Sequence, residues 1–235
     1  MFKNLFIKMW AKAMENNLSN ILRLCDRKKN ANFIDLGCDD GIWTLKVAKK
    51  IGTKNIFGMD YIEKQLKKAR VNGVKTRRVD LNKKFPFSDN SFDVVHSNQV
   101  IEHLTEVDGF VSEIYRILKP GGYAIVSTEN LASWHNVFSL LMGWQPFSMH
   151  ISKKYHIGNP LSPHFEENLR EGWTHVIIFT YYSLQELFKK YNFIIAAAKG
   201  SGYYPLPTSF ANIDPYHSHF ITIKARKPLE LILKP

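Results

Sequence analysis

Acidic residues stand at the ends of three successive apolar runs: Asp35, Asp39 and Asp40 in Phe33-Ile-Asp-Leu-Gly-Cys-Asp-Asp-Gly41, Asp60 after Gly58-Met59, and Asp80 in Val79-Asp80-Leu81. In the first segment, Gly37 and Gly41 bracket Cys38 and Asp39 where a strand would turn into a helix. Glycines there let a ligand approach the backbone, and the helix N–H groups point out to meet it. A dinucleotide site would need further glycines so that a pyrophosphate could sit on the helix dipole. Asp39 and Asp40 occupy that place instead, and carboxylates repel a pyrophosphate while favouring a cationic ligand, such as one with an ammonium and a sulfonium. Asp60 is suited to accept hydrogen bonds from ribose hydroxyls, with Tyr61 beside an adenine. Asp80 can accept the adenine amino group while Leu81 packs on the ring. Each acid alone could simply cap the next helix. Three at successive strand ends would converge on one crevice if the sheet is doubly wound.

The elements that must position them follow from periodicity. Short apolar runs predict strands at 33–37, 55–60, 75–79, 92–97 and 123–127, and amphipathic stretches predict helices at 42–51, 62–72 and 106–118. Lys119-Pro-Gly-Gly122 is expected to stop the last of these. Ser183-Leu-Gln-Glu186 reads as a capping box opening a short helix to about Tyr191, and 193–199 and 219–225 read as closing strands. Phe2, Leu5, Phe6, Met9, Trp10 and Ala13 recur at helical spacing. The expected fold is α/β: one domain over 1–235, with a Rossmann-like, seven-stranded, mostly parallel sheet and flanking helices. N-terminal helices would cover 1–30, a lid insertion 131–180 after the fifth strand and a second insertion 200–216, with 227–235 as a loosely held tail.

In these motifs the chain resembles the class I S-adenosylmethionine (AdoMet)-dependent methyltransferases, of the group typified by small-molecule methyltransferases. The matching residues are Asp35-Leu-Gly-Cys-Asp-Asp-Gly41, Gly58-Met-Asp60, Asp80-Leu81, Phe85-Pro-Phe87 with Ser91-Phe-Asp-Val-Val95, Val100-Ile-Glu-His103 and Leu118-Lys-Pro-Gly-Gly122. The resemblance implies AdoMet as cofactor. It also implies Asp35 and Gly37 at the methionine end, Asp60 at the ribose, Asp80 at the adenine, and Asn98 holding the cofactor ammonium through its backbone. One departure is Asp39, where the family usually has a third glycine.

Methyl transfer from a sulfonium is an in-line displacement that leaves a neutral sulfur, so the protein's task is mainly positioning. For a hydroxyl acceptor, a base is worth about 10²–10⁴-fold. His103, just beyond the fourth strand, is the candidate for that role; its alternative is a hydrogen-bonded helix-start residue. His150, His156 and His164 follow the lid segment, and His217-Ser-His219 would put two rings on one face of a strand. No third ligand accompanies that pair at a recognisable interval, so no metal site is expected. Residues 132–174 and 200–215 are long insertions rich in aromatics, including Trp134, Phe138, Trp144, Phe147, Tyr155, Phe165, Tyr203, Tyr204 and Phe210. They are expected to set acceptor specificity.

The formal charge of +11 favours phosphate-bearing substrates, nucleic acid or an anionic membrane without choosing among them, because the lysines are spread along the chain. Two cysteines without C-x-x-C spacing point to a reducing, cytoplasmic setting. Residues 131–149 carry no formal charge, yet Ser, His, Asn, Gly, Gln and Pro break their apolarity. They read as a lid or as a patch at a membrane surface, with peripheral membrane contact. The sequence therefore leads to a methyltransferase acting on a small-molecule, lipid or glycan-type acceptor, with O-methylation favoured. Its rivals are an RNA methyltransferase and a non-catalytic AdoMet-fold binding protein. No H-E-x-x-H, P-loop or G-x-S-x-G signature occurs.

Overall fold

The computed structural model describes residues 2–162 and 174–229, without the side chains of residues 2–6. Among the described residues seven strands form one sheet, the number expected, in the order β3-β2-β1-β4-β5-β7-β6. They are β1 (Phe33–Leu36), β2 (Ile56–Asp60), β3 (Lys75–Arg78), β4 (Phe92–Asn98), β5 (Leu118–Glu129), β6 (Ile194–Ser201) and β7 (Phe220–Arg226). β7 alone is antiparallel to its neighbours β5 and β6. The chain leaves β1 toward β2 and β3, then returns to place β4 on the other side of β1. That reversal makes the carboxyl ends of β1 and β4 the topological switch point, where such sheets bind ligands.

Both faces of the central strands are covered, which explains their continuous apolar runs. Ile34, Leu36 and Val95 face a core with Phe110, Val111 and Ile114 of α4 (Val107–Ile117) and Leu184 and Phe188 of α6 (Tyr181–Lys190). Phe33, Val94 and Ile125 face the other way, onto Val47 and Ile51 of α2 (Ile42–Ile51) and Ile21 of α1 (Phe2–Leu24). α3 (Glu63–Val71) buries only Leu66 and Ala69. β3 is an edge strand whose Lys75, Arg77 and Arg78 keep it from pairing further.

Several local expectations shift. The N-terminal region is one helix of 23 residues. Its buried face is Ala13, Asn17, Asn20, Ile21 and Leu24, while Trp10 is half exposed. Lys119-Pro-Gly-Gly122 lies inside β5, whose pairing with β4 is irregular there; α4 ends because Leu118 already has extended backbone. The capping box of α6 is Thr180 with Ser183, the two side chains bonding reciprocally to each other's backbone, so the helix starts three residues earlier than Ser183-Glu186 implies. His217 and His219 do not share a strand: His217 sits in a 3₁₀ turn (Pro215–His217) and His219 immediately precedes β7.

Candidate active site

The glycine loop forms where β1 meets α2. Gly37 has φ +80°, and a Cβ built on it would lie 2.3 Å from Val100 Cγ2, so only glycine fits between β1 and the segment after β4. Gly41 caps α2 with φ +82°. Asp39 has φ +46°, a left-handed conformation that aspartate tolerates better than most residues. This explains how it can replace the family's third glycine. The Cys38 side chain is turned inward over Gly58, where a Cβ would come within 2.6 Å of its sulfur. Burial pushes the Cys38 thiol well above its ordinary pKa. Cys38 can therefore offer a ligand little but backbone.

The carboxylates do different things. Asp35 is buried, accepting from the Thr44 hydroxyl at 2.6 Å and facing His96 Nδ1 at 2.8 Å. It ties β1 to α2 and β4 from beneath the loop. Asp60 lies at the rim, where its two oxygens accept from the backbone N–H of Asp39 (3.0 Å) and of Ile62 (2.9 Å). It holds the glycine loop to the start of α3 and keeps lone pairs for hydroxyl donors. Tyr61 is 59% exposed, with the Arg78 guanidinium over its ring. Asp80 follows directly, since Val79 N–H donates to the Asp60 carbonyl. Its carboxylate accepts from Asn82, and Leu81 beside it is buried. Asn98 ends β4, its side-chain oxygen accepting from Asn17 Nδ2 of α1 at 2.8 Å.

Beyond Asn98 the chain makes a 3₁₀ turn, Ile101–His103, which leads into a cluster of acids and histidines. Glu102 is fully buried; its Oε2 accepts from Thr128 at 2.8 Å, and its Oε1 has no hydrogen-bond partner among the described residues. Burial lifts its pKa to about 7. His103 Nδ1 lies 3.1 Å from the Thr174 carbonyl, and burial, with His175 nearby, lowers its pKa to about 4. The His103 and His175 rings meet with centroids 4.8 Å apart. Glu129, at the end of β5, lies 3.8 Å from His175 Nδ1 and 3.7 Å from His219 Nε2. Burial alone would raise the Glu129 pKa, but these two rings hold it well below the usual carboxylate range.

Both insertions meet at this cluster. α5 (Trp134–Leu141) sends Trp134 Nε1 to the Tyr203 hydroxyl at 2.7 Å and stacks Trp134 on His217. His135 stacks on His219, with Tyr204 beside both rings. His164 and Phe165 lie outside the described residues.

A family model described as a methyltransferase domain matches residues 34–126, which span the glycine loop, both acid-tipped strands and the turn bearing His103. Over that segment the chain is similar to methyltransferase domains, and its sheet has the fold of the AdoMet-dependent methyltransferases. Demethylmenaquinone methyltransferase of Listeria welshimeri is 30% identical over 131 residues, covering 50% of this chain and 54% of that protein. The chain thus spans about half the length of the curated relatives it matches. Among solved structures, an AdoMet-dependent methyltransferase from Mesorhizobium loti superposes with TM-score 0.62 at 18% identity, over 88% of this chain and 96% of that one. A Haloferax volcanii chain solved with the Trm112 methyltransferase activator gives TM-score 0.64 at 17% identity, over 94% and 92%.

The residues at this site fit AdoMet. Gly37 leaves room for a ligand to approach the β1–β4 switch point, and the rim concentrates negative charge where the cofactor's ammonium and sulfonium would lie. The Asp39 carboxyl is raised above its ordinary pKa by burial first and then by the charges of Asp40 and Asp60. Folding therefore disfavours the ionised form: the cost is absent in acid and develops as pH rises through the folded pKa. Asp39→Asn is expected to raise the melting temperature of the cofactor-free protein at pH 7, with the gain shrinking toward acid. It should also weaken AdoMet about two- to fivefold, as befits a solvent-screened contact. A melting temperature unchanged or lowered at pH 7 would show that the rim is not under electrostatic strain.

Three side chains here escaped the sequence analysis. Asn17 of α1 joins Asn98 to Ser127 and Thr222 across the strand ends. Glu102 stood unexamined beside His103 in the quoted Val-Ile-Glu-His. Nothing in sequence spacing points to His175, which joins the site only because Val176 and Ile177 N–H donate to the Glu102 carbonyl.

Proposed function

We propose that this methyltransferase passes the AdoMet methyl to a hydroxyl of a small, largely apolar acceptor bound between Asn98 and the insertions. The observation that carries this reading is the convergence of Glu102, His103 and His175 beside the switch point, with the two insertions joined to each other through Trp134 and Tyr203. When bound, AdoMet supplies an electrophilic methyl on a sulfonium that departs as a neutral sulfide. Asp60 and Asp80 would hold the adenosine, and the backbone around Gly37 and Asn98 would hold the methionine end. His103, neutral at pH 7 and fixed through Nδ1 by Thr174, would turn its Nε2 lone pair toward the acceptor hydroxyl. Its lowered basicity suits orienting that hydroxyl better than storing its proton. Aromatic rings from both insertions would exclude water and bind a flat or ring-bearing acceptor.

Similarity to demethylmenaquinone methyltransferases supports a quinone-type acceptor. α5 and its C-cap Met142 also expose Phe138, Leu140, Leu141 and Met142 itself, which suits an acceptor delivered from a lipid surface. Among the described residues no helix is long and apolar enough to cross a membrane.

The reading is tested by titration calorimetry with AdoMet and S-adenosylhomocysteine. Asp60→Ala should weaken both by about 1–3 kcal/mol, because the ribose hydroxyls lose their acceptor and the glycine loop loses its tie. Wild-type affinity in that variant, or no binding by the unmodified protein at millimolar ligand, would refute the assignment. Radiolabelled AdoMet should transfer label to ring hydroxyl acceptors and not to bulk RNA.

A further inference from the structure

The geometry points to a divalent first-row transition cation held by Glu102, His103 and His175, on which the acceptor hydroxyl would bind. One ligand atom from each of these residues lies within 4.8 Å of the other two, close enough that small side-chain adjustments would bring all three onto one ion. The hydrogen bonds fix which atoms are free. A carbonyl only accepts, so His103 Nδ1 must carry the proton it donates to Thr174, and His175 Nδ1 the one it donates to the Ser148 carbonyl at 2.7 Å. Each ring is thereby left with its lone pair on Nε2. Glu102 Oε2 is engaged by Thr128, while its Oε1 is buried with no donor among the described residues. Each of the three residues thus keeps a lone pair that no described hydrogen bond uses, and a cation would draw all three together.

The groups behind these ligands fit the same reading. Metal-bound imidazoles donate their second N–H to a carbonyl or carboxylate, which fixes the tautomer and raises ligand basicity. His103 has the Thr174 carbonyl behind it, and His175 has the Ser148 carbonyl with Glu129 beyond. Two imidazoles and one carboxylate suit zinc, manganese or ferrous iron; magnesium and calcium prefer oxygen ligands. Three protein ligands leave positions open for a substrate oxygen. Sequence spacing around His217 and His219 offers no third ligand, whereas here two adjacent residues meet one from a distant insertion.

The role of the ion rests on the methyl-transfer reading, with the ion taking the place of the direct contact between His103 Nε2 and the hydroxyl; its binding does not. A coordinated hydroxyl loses its proton to solvent more readily, so the oxygen attacks the methyl carbon as an oxyanion. The new bond is oxygen to carbon, and the bond broken is carbon to sulfur, whose electron pair stays on sulfur.

The test is equilibrium dialysis of the metal-stripped protein against Zn²⁺ alone and Mn²⁺ alone, with elemental analysis, and the visible spectrum with Co²⁺. One tightly held equivalent is expected for at least one of the ions, with low-symmetry cobalt bands. Glu102→Gln and His175→Ala should each weaken binding at least tenfold, and His217→Ala should leave it unchanged. Native-like thermal unfolding confirms that the variants fold; if His175→Ala does not, His175→Gln gives the same readout. Failure to bind either ion above background, or equal loss in the His217→Ala protein, overturns the site. Calorimetric AdoMet binding, measured separately, shows whether the methyltransferase reading stands without it.

Discussion

Gly37→Ala is expected to abolish measurable AdoMet binding and to destabilise the fold by about 2–5 kcal/mol. Two effects add. The left-handed backbone at this position costs an L-residue about 1–2 kcal/mol, and forcing a methyl into a filled space costs about 1–3 kcal/mol. The second applies in full because the obstacle is Val100 Cγ2, 2.3 Å from the new Cβ, on a side chain stiff about χ1. Val100 cannot retreat freely, since it lies between Gln99, itself at φ +57°, and the 3₁₀ turn that carries Glu102 and His103. Relief would come by opening the gap between β1 and β4, which is the crevice the cofactor needs. Urea unfolding and calorimetry with S-adenosylhomocysteine check both parts. Wild-type affinity with a wild-type midpoint would mean that the switch point is looser than the geometry states.

Removing the carboxylate of Asp35 should cost about 3–5 kcal/mol, in the range for breaking a buried ion pair or network. Thr44 and His96 are both almost wholly buried and both use Asp35, so Asp35→Ala strands a hydroxyl and a ring nitrogen at once. Asp35→Asn should be milder, about 1–3 kcal/mol, since the amide keeps one acceptor but presents a donor to the other partner. The resemblance placed Asp35 at the methionine end, whereas the structure sets its side chain below the loop, on α2 and β4. Protein that remains folded should accordingly bind AdoMet within about tenfold of wild type; that factor is about 1.4 kcal/mol. A variant of normal stability that no longer binds would show instead that the carboxylate touches the ligand.

The two substitutions separate space from support. Gly37 keeps the crevice open, and Asp35 keeps its walls together. Asp60 does a third job at the rim, bridging Asp39 to the start of α3 while keeping capacity for a ribose.

Local sequence determined the cofactor half. Period-two and period-3.6 patterns identify strands and helices because a buried parallel strand and an amphipathic helix each need their own spacing of apolar groups. A strand-to-helix turn that needs positive φ announces itself through Gly37 and Gly41. The acids at 60 and 80 follow from the rule that ligands gather at strand carboxyl ends, and the strands bearing them are neighbours, as the register Asp60 with Arg78 confirms. Short-range patterns were less informative about boundaries: Thr180, not Ser183, caps α6, because Thr180 has the extended backbone a cap requires.

Only tertiary structure decided the cluster of histidines and carboxylates beyond β4. Asn17, Glu102, Glu129, His175 and His219 come from α1, the turn after β4, the end of β5, the first insertion and the residue before β7. Their meeting depends on long-range contacts that no local periodicity encodes. Which His103 nitrogen carries the proton, which Glu102 oxygen is bare, and which ring faces Glu129 are fixed by carbonyls and hydroxyls far away in the chain. Sequence specifies a side chain's chemistry and its local backbone; the neighbours that set its protonation and direction exist only once the chain has folded.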